Sequence, residues 1–354
     1  LTNATWEYVN VTTPAGGYIY AVNGVDAPLL YNGTTWTNPT ITGVTSTTLS
    51  NITTFKNQVW FTQASTLKAW YLATLSISGA AAAIDLSSVA QLGGYLVAVS
   101  TWTIDAGYGV DDNLVFITSN GEVIVYAGTD PSDATKWALI GVWRLGKPVG
   151  KRCLMKYGGD ILVLTYNGLY PLAASLQSSR LDPRIALSDK IQGAFTTATQ
   201  VYGGNFGWDL TFDPQHNALT INVPVAEGQQ QQYVMNNITK AWCNFTGQYA
   251  NCWTVFSNEP YWGGNGFVAH AWDDNFADDT SDINGYALQA FNYFDARGVK
   301  KYFTRARPSI FTNGSPSIFI GLNMAFDLAD TTSALSFSPQ VSSKWDVALW
   351  DSGY

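Results

Sequence analysis

Short apolar runs, each followed by a polar turn, recur along most of the chain. Residues 113–121 and 160–168 align without gaps, and in both an apolar run is followed by Thr and then by an Asn-Gly pair. Runs of four to six residues that are apolar nearly throughout are typical of strands covered on both faces. The pattern therefore predicts many short strands, and further copies of it lie at Gly16–Gly24 and Asn57–Thr62.

The turn signals give this pattern a period. Seven Asn-Gly pairs occur in the chain, and Asn-Gly favours the type I′ turn, in which both central residues have positive φ. The pairs at Asn120 and Asn167 lie 47 residues apart, and Asn265 lies 98 residues beyond Asn167. These spacings correspond to one and two repeats of about 40–50 residues, the length of a propeller blade.

One complete four-stranded unit is predicted between residues 209 and 245. Strand patterns at Asp209–Phe212 and Ala218–Val223 flank a turn, and Tyr233–Met235 and Ala241–Phe245 follow. Four consecutive antiparallel strands in about 40 residues make one blade of a β-propeller.

A turn followed by a tryptophan is a second recurring feature, present at Tyr31–Trp36 and Ala134–Trp137. A tryptophan on an outer strand can cover the gap between blades, although a β-sandwich also shows such aromatic periodicity. Helical patterns are rare. The two candidates are Ala80–Ser88 and Leu181–Gln192, and the second bridges two blades, with Asp182 as its N-cap.

The predicted fold class is all-β: a β-propeller of six or seven antiparallel blades over residues 1–295, with a C-terminal extension. Beyond residue 295 the sequence changes in character, and Lys300–Phe311 and Ser317–Phe326 have the pattern of a long hairpin with its turn at Asn313-Gly314. We assign residues 296–354 to this hairpin and a terminal arm, which we expect to close the propeller or to contact neighbouring molecules.

Composition narrows the possible functions. Aromatic residues make up 14% of the chain and charged residues 12%, whereas soluble domains carry about 25% charged residues. So few charges and so many aromatic residues argue against disorder and indicate a surface that is partly covered in an assembly. A net charge of −8 argues against specific nucleic-acid binding but suits a passive conduit, because a negative wall repels phosphate. No apolar run has the length of about 18 residues that predicts a membrane segment.

The chain offers little for catalysis. A Ser–His–Asp triad needs a histidine, and there are two: His216 in a predicted solvated turn, and His270 in a strand, as a core or inter-blade hydrogen-bonding residue. Neither a Gly-x-Ser-x-Gly elbow nor a phosphate-binding loop is present, and no carboxylate pair stands out for glycoside hydrolysis. We therefore predict no enzyme activity, no catalytic residue and no cofactor-binding residue.

Metal and disulfide signals are similarly weak. The acidic stretch Asp273–Asp282 is the one candidate for calcium, but its spacing does not match an EF-hand loop, and a solvated acidic loop is preferred. Cys153, Cys243 and Cys252 form an odd, sparse set with no zinc-binding spacing. Cys243 and Cys252 either face each other across a hairpin or stay reduced. We predict no metal site and no cofactor.

Three segments, Asn120–Gly141, Gly150–Asp160 and Thr165–Pro171, resemble the packaged-DNA stabilisation and tail-nozzle proteins of short-tailed bacteriophages. The segment Lys300–Phe326 is similar to the last hairpin of that family. The resemblance implies a structural virion protein of the tail, assembled in the bacterial host cytoplasm as a homo-oligomeric ring, with a hexamer expected. Its implied partners are portal-adaptor proteins and other tail components such as a fibre, spike or needle. The family offers no catalytic residues.

The implied function is a nozzle that retains packaged double-stranded DNA and lets it pass at ejection without sequence specificity. Two alternatives stay open. In a glycan-binding propeller, an adhesin or receptor-binding protein, Tyr261-Trp262 in a loop would stack on sugars. In a glycosidase, two carboxylates would converge in the central pocket. Stable homo-oligomers favour the nozzle, and a monomer that binds polysaccharide favours the adhesin.

Overall fold

The computed structural model of the protein describes residues 1–105, 110–177, 182–272, 277–278, 281–295, 297–305, 318–323 and 334–335. The chain divides into two compact units, Leu1–Asn275 and Phe276–Tyr354. Within the described ranges, no helix combines the length and the apolar character that a membrane crossing requires.

The first unit is a six-bladed β-propeller, which confirms the predicted fold class. Blade 1 contains β1 Glu7–Thr13, β2 Gly16–Val22, β3 Leu29–Tyr31 and β4 Trp36–Thr37. The parallel pair of β5 and β9 and the strands of blade 2 follow: β5 Ile41–Thr42, β6 Leu49–Phe55, β7 Gln58–Gln63, β8 Lys68–Tyr71, β9 Gly79–Ala80 and β10 Ala82–Asp85. Blade 3 contains β11 Leu96–Asp105, β12 Val110–Thr118, β13 Glu122–Gly128 and β14 Trp137–Arg144.

Blades 4 and 6 have three strands each, and blade 5 has four. Blade 4 contains β15 Leu154–Tyr157, β16 Asp160–Thr165 and β17 Gly168–Pro171. Blade 5 contains β18 Asp209–Asp213, β19 Ala218–Ala226, β20 Gln229–Asn236 and β21 Trp242–Thr246. Blade 6 contains β22 Cys252–Phe256, β23 Glu259–Gly263 and β24 Val268–His270. The four strands of blade 5 confirm the unit predicted between residues 209 and 245.

Apolar residues fill the strands of blades 2, 3 and 4 because neighbouring blades cover both faces of each. In β12, Leu114 and Phe116 belong to a buried cluster shared with blade 2, whereas Val115 and Ile117 belong to a cluster shared with blade 4. Successive side chains of a strand point to opposite faces, so both sets must be apolar. This burial confirms the prediction that the apolar runs form strands covered on both faces.

Buried apolar clusters fill the seams between blades 1 and 2, 2 and 3, 3 and 4, and 4 and 5. The seam between blades 5 and 6 is held by Trp253, whose backbone N donates to Asp209 and whose Nε1 donates to Asn222. Between blades 6 and 1, the described residues form no buried apolar cluster. That seam carries a hydrogen bond of 2.9 Å between Tyr8 Oη and Thr254 Oγ1.

The two tryptophans of the repeated turn pattern have different surroundings. Trp137 on β14 stacks on Trp60 of blade 2, with ring centroids 5.6 Å apart and planes 9° from parallel. This contact confirms the predicted inter-blade role for Trp137. Trp36 on β4 is exposed and packs on Tyr31 of its own blade.

Helices are few, and one predicted helix is wrong. Ala80–Ser88 contains the end of β9 and all of β10, because pairing with β8 overrides the intrinsic helix preference of alanine. Among the described residues, the helical elements are α1 Leu172–Ser175, 3₁₀ turns at Ser46–Thr48, Pro183–Ile185 and Asp189–Ile191, and α2 Gln192–Tyr202.

Between blades 4 and 5, two 3₁₀ turns and then α2 replace the single helix predicted over Leu181–Gln192. Asp182 caps the first turn as predicted, since its side chain accepts a hydrogen bond from the backbone N of Arg184.

The Asn-Gly pairs do not form the predicted type I′ turns in the described residues, because none of their asparagines has positive φ. Asn23 and Asn32 instead use their Oδ1 atoms to accept backbone N–H groups two and three residues ahead. This bonding holds the asparagine at negative φ and leaves the positive φ to the glycine. Two consecutive residues with positive φ occur at the hairpin turns Lys56-Asn57 and Ser257-Asn258.

The described strands of the second unit form two short pairs. β25 Ala277–Asp278 pairs with β26 Ser281–Asp282, and β27 Ile318–Phe319 pairs with β28 Ala334–Leu335. This pairing differs from the hairpin predicted for Lys300–Phe311, because residues 300–305 form no strand. Lysine side chains in that stretch instead lie over neighbouring rings, such as Lys300 over Tyr302 at 5.5 Å. Residues 306–317, with the predicted turn, and the terminal arm lie outside the described residues.

Candidate functional site

A cavity of about 1400 Å³ lies at the centre of the propeller. Its walls come from the first strand of each of the six blades and from the faces of blades 1 and 6 that border their open seam. Small-molecule sites usually measure about 300–1,000 Å³. The central cavity therefore has room for a ligand longer than a single small molecule.

Three charged side chains join four blades at this cavity. Arg152, two residues before β15, places Nε 3.1 Å from Glu7 Oε1 and Nη1 3.1 Å from Asp209 Oδ2. Its Nη2 donates to the backbone O of Trp6 at 2.8 Å. Asp209 also accepts from the backbone N of Trp253 at 3.1 Å. Blades 4, 1, 5 and 6 are thus connected through one guanidinium group.

Burial dominates the electrostatics of this group. It raises the pKa of Glu7 to about 7 and also raises the pKa of Asp209, against the opposing effect of Arg152. Burial opposes the charge on Arg152, but Asp209 and Glu7 outweigh it and raise the pKa of the guanidinium above its ordinary value. One guanidinium neutralises only one of the two carboxylates, and the pKa values of both are raised, that of Glu7 to about 7.

Two lysines add positive charge to the cavity wall. Lys151 Nζ donates to the backbone O of Asn23 at 3.3 Å, and burial lowers the pKa of Lys151. Lys156 is exposed on β15 and makes no ion pair with the described residues. The cavity is therefore lined by three cationic side chains and two carboxylates, in a chain whose net charge is −8.

Aromatic side chains form the walls of the open seam. Blade 1 contributes Tyr8 and Trp36, which are 54% and 55% exposed, and blade 6 contributes Phe256, which is 69% exposed. Tyr261 and Trp262 on β23 are half-buried and also line the cavity. Such rings offer an apolar face beside a polar edge, which suits amphipathic ligands.

The structure places the residues predicted from sequence as follows. Tyr261-Trp262, expected in a loop, belongs to β23. His270 is exposed rather than in the core, because blade 1 does not cover this face of blade 6; its Nε2 lies 3.3 Å from Glu259 Oε2. His216 lies in the predicted turn and is half-exposed, with Nδ1 2.5 Å from Asp213 Oδ2.

The three cysteines are free thiols. Cys153 is buried, and burial raises its pKa to about 12, which keeps it protonated. Cys243 is exposed on β21, whereas Cys252 lines the cavity on β22. Among the described residues, no group of three or more His, Cys, Asp or Glu side chains is placed to hold a metal ion. Most of the candidate calcium stretch Asp273–Asp282 lies outside the described residues.

Sequence reasoning missed the ionic group at the cavity. Arg152 and Glu7 are 145 positions apart, and no local spacing connects them. A usable signal was present: both Glu7 and Asp209 begin an inner strand, in a chain with few charged residues. Charges at such positions are expected to meet at the axis of a propeller.

Comparison with known proteins assigns the chain to no family. No protein-family model matches the chain, and no curated protein matches it. Among solved structures, YCF48 bound to D1 peptide has a TM-score of 0.44 at 14% identity over 75% of this chain and 81% of that one. The SapL1 lectin in complex with alpha methyl fucoside has a TM-score of 0.37 at 11% identity, covering 75% and 95%. A protein from Bacteroides uniformis, named as a candidate 6-phosphogluconolactonase, has a TM-score of 0.41 at 12% identity, covering 74% and 83%.

The fold and the cavity define a six-bladed β-propeller whose centre is open to a ligand and whose first and last blades share a hydrogen bond across their seam.

Proposed function

We propose that this protein is a structural, non-catalytic component of a short-tailed phage tail, which assembles with copies of itself into a ring, a hexamer by family resemblance. The ring retains packaged DNA and serves as its path at ejection. The observation that carries the proposal is the exposed apolar surface of the second unit.

The described part of the second unit exposes large apolar side chains, most of them among residues 283–303, whose described positions form no strand or helix. Tyr286 is 79% exposed and Tyr302 is 82% exposed. The others are Ile283, Leu288, Tyr293, Phe294, Val299, Phe303, Phe319 and Leu322. Monomeric proteins rarely leave so much apolar surface in water, and contact with other subunits would bury it.

The charge distribution supports a DNA path between subunits rather than through one propeller. Arg152, Glu7 and Asp209 join blades across the axis, so their side chains would block the passage of a DNA duplex along it while leaving the cavity beside them. A chain with a net charge of −8 would present a net negative wall, which repels phosphate and prevents DNA from sticking.

The carboxylates of the cavity support a non-catalytic role over a glycosidase. Both Glu7 and Asp209 are committed to Arg152, and the side chain of Asp209 is only 8% exposed. A general acid or nucleophile must reach its substrate within hydrogen-bond distance, and this pair is occupied with holding blades together.

A second candidate function, glycan binding, is favoured by one observation. The central cavity presents exposed aromatic faces beside polar side chains, and it opens at the seam between blades 1 and 6. All the residues that line the cavity belong to the first unit, so both functions are compatible with one chain.

Sedimentation velocity tests the role of the second unit. We expect the full chain to sediment as an oligomer and the triple variant Tyr286→Ser, Tyr302→Ser, Phe303→Ser to sediment as a smaller species. The matched control, Val25→Ser with Ile238→Ser, removes exposed apolar side chains from the first unit and should leave the oligomer intact. Equal sedimentation of the two variants would contradict the assigned interface.

A further inference from the structure

We propose that the central cavity binds an acidic saccharide and that Lys156 recognises its carboxylate group. The inference rests on the second candidate function, glycan binding, and is independent of ring assembly.

The shape and walls of the cavity select an extended ligand with apolar faces. Its volume of about 1400 Å³ exceeds what a monosaccharide fills. Tyr8 and Trp36 on blade 1 and Phe256 on blade 6 expose ring surface at the open seam. Rings presented in this way can stack on the C–H faces of consecutive sugar units.

The cavity wall supplies groups that both donate and accept hydrogen bonds, as sugar hydroxyls do. One of them, Thr254 Oγ1, already pairs with Tyr8 Oη across the seam, which shows that hydroxyl pairs fit there. The polar uncharged side chains that line the cavity are Asn10, Asn51, Thr53, Thr54, Ser100 and Thr254.

The positive groups that can reach a ligand are two ammonium groups. Arg152 uses three of its five N–H donors inside the protein, on Glu7, Asp209 and the backbone O of Trp6. Both lysines are exposed, but Lys151 Nζ already donates to the backbone O of Asn23 at 3.3 Å, whereas Lys156 makes no ion pair with the described residues. Leu154 and Lys156 are two residues apart on β15, so their side chains point to the same face of the strand, and both line the cavity. The ammonium group of Lys156 therefore lies beside apolar surface. Such surroundings favour a charge-assisted bond to a carboxylate.

Titration calorimetry with three probes tests the inference: a hexamer of galacturonic acid, the matched neutral galactose hexamer and a hexaglutamate peptide. We expect the full chain to bind the acidic hexamer about tenfold more tightly than the neutral one, with the preference falling as salt is added. Lys156→Gln should abolish this preference, and Trp36→Ala should weaken both saccharides equally. The control Lys68→Gln removes an exposed lysine on β8, away from the cavity, and should change nothing.

Each of the other possible binding results would contradict a specific part of the inference. Equal binding of acidic and neutral hexamers, or equal effects of Lys156→Gln and Lys68→Gln, would leave glycan binding standing and remove the selection by charge. Tighter binding of hexaglutamate would assign the cavity to acidic peptides. Binding of none of the three would remove both this inference and the glycan-binding function.

Discussion

Arg152 and Glu7 join opposite blades of the propeller: Nε of the guanidinium lies 3.1 Å from Oε1 of the carboxylate, across the central axis. Arg152 precedes blade 4 and Glu7 begins blade 1, and in a six-bladed ring these blades face each other. Because the seam between blades 6 and 1 has no buried apolar cluster among the described residues, this ion pair is one of the contacts that keep blade 1 in place.

The first prediction concerns that contact. Arg152→Met should lower the free energy of unfolding by about 3–5 kcal/mol, because it leaves two carboxyl groups with low exposure and without their ion-pair partner. Urea denaturation measures the loss. Arg144→Met is the control, since Arg144 is exposed at the end of β14 and makes one hydrogen bond of 3.4 Å to Gln91. Losses of similar size in the two variants would show that the ionic group does not hold the ring.

The second prediction is a pH dependence of stability. Burial raises the pKa of Glu7 from an ordinary 4.5 to about 7, so between these values the folded chain retains a proton that the unfolded chain has released. The free energy of unfolding should therefore decline as pH rises from about 4.5 to about 7 and then level off. In Glu7→Gln this decline should be smaller.

Urea unfolding of both proteins at pH 4.5, 6 and 7.5 measures the slope. Glu227→Gln, a change at an exposed position between β19 and β20, should keep the wild-type slope. If Glu7→Gln keeps it as well, Glu7 is not the titrating group.

The third prediction separates two tryptophans. Trp60 is fully buried and stacks between Tyr71, at 4.8 Å, and Trp137, at 5.6 Å. Trp60→Ala should lower the free energy of unfolding by about 3–5 kcal/mol, because it opens a cavity between blades 2 and 3. Trp36→Ala removes an exposed ring and should cost less than about 1 kcal/mol. Thermal and urea unfolding measure both losses of stability. Equal losses for Trp60→Ala and Trp36→Ala would contradict the role of Trp60 between blades 2 and 3.

The fourth prediction compares two glycines with similar backbones. Gly121 has φ +84°, and a Cβ there would lie 2.3 Å from the carbonyl C of Gly146; Gly33 has φ +93° and open space around it. Gly33→Ala should cost about 1–2 kcal/mol, from the left-handed backbone alone. Gly121→Ala should cost clearly more, because two main-chain segments must also move apart. A smaller loss for Gly121→Ala, measured by urea denaturation, would contradict the close approach of these segments.

The propeller could be predicted from sequence because its signals are local. The strands of blade 5 follow one another directly, with strand and turn patterns that lie within about 40 residues. The helix prediction for Ala80–Ser88 was wrong because alanine indicates only an intrinsic preference for helix. The pairing of Ala82 with Tyr71 makes this segment a strand instead. Five of the described Asn-Gly pairs lie in turns or bends, but at Asn23 and Asn32 the side chain of the asparagine selects the turn type.

The cavity could not be predicted because its parts are distant in sequence. Its walls combine Tyr8 from the start of the first unit with Phe256 from its end, and only ring closure brings these residues to one seam. Tyr261-Trp262 was a useful local signal for aromatic residues near a ligand, although it lies on a strand and not in a loop. Exposure of aromatic residues at a seam depends on how the first and last blades meet, which no single segment encodes.

Assembly into a ring is the central claim, and the mass of the full chain in solution tests it most directly. Light scattering, with negative-stain imaging of the same sample, should give a mass several times the 38.5 kDa of one chain, and closed rings with a central opening. A mass of 38.5 kDa that stays constant as protein concentration rises, with single propellers in the images, would contradict the proposed function.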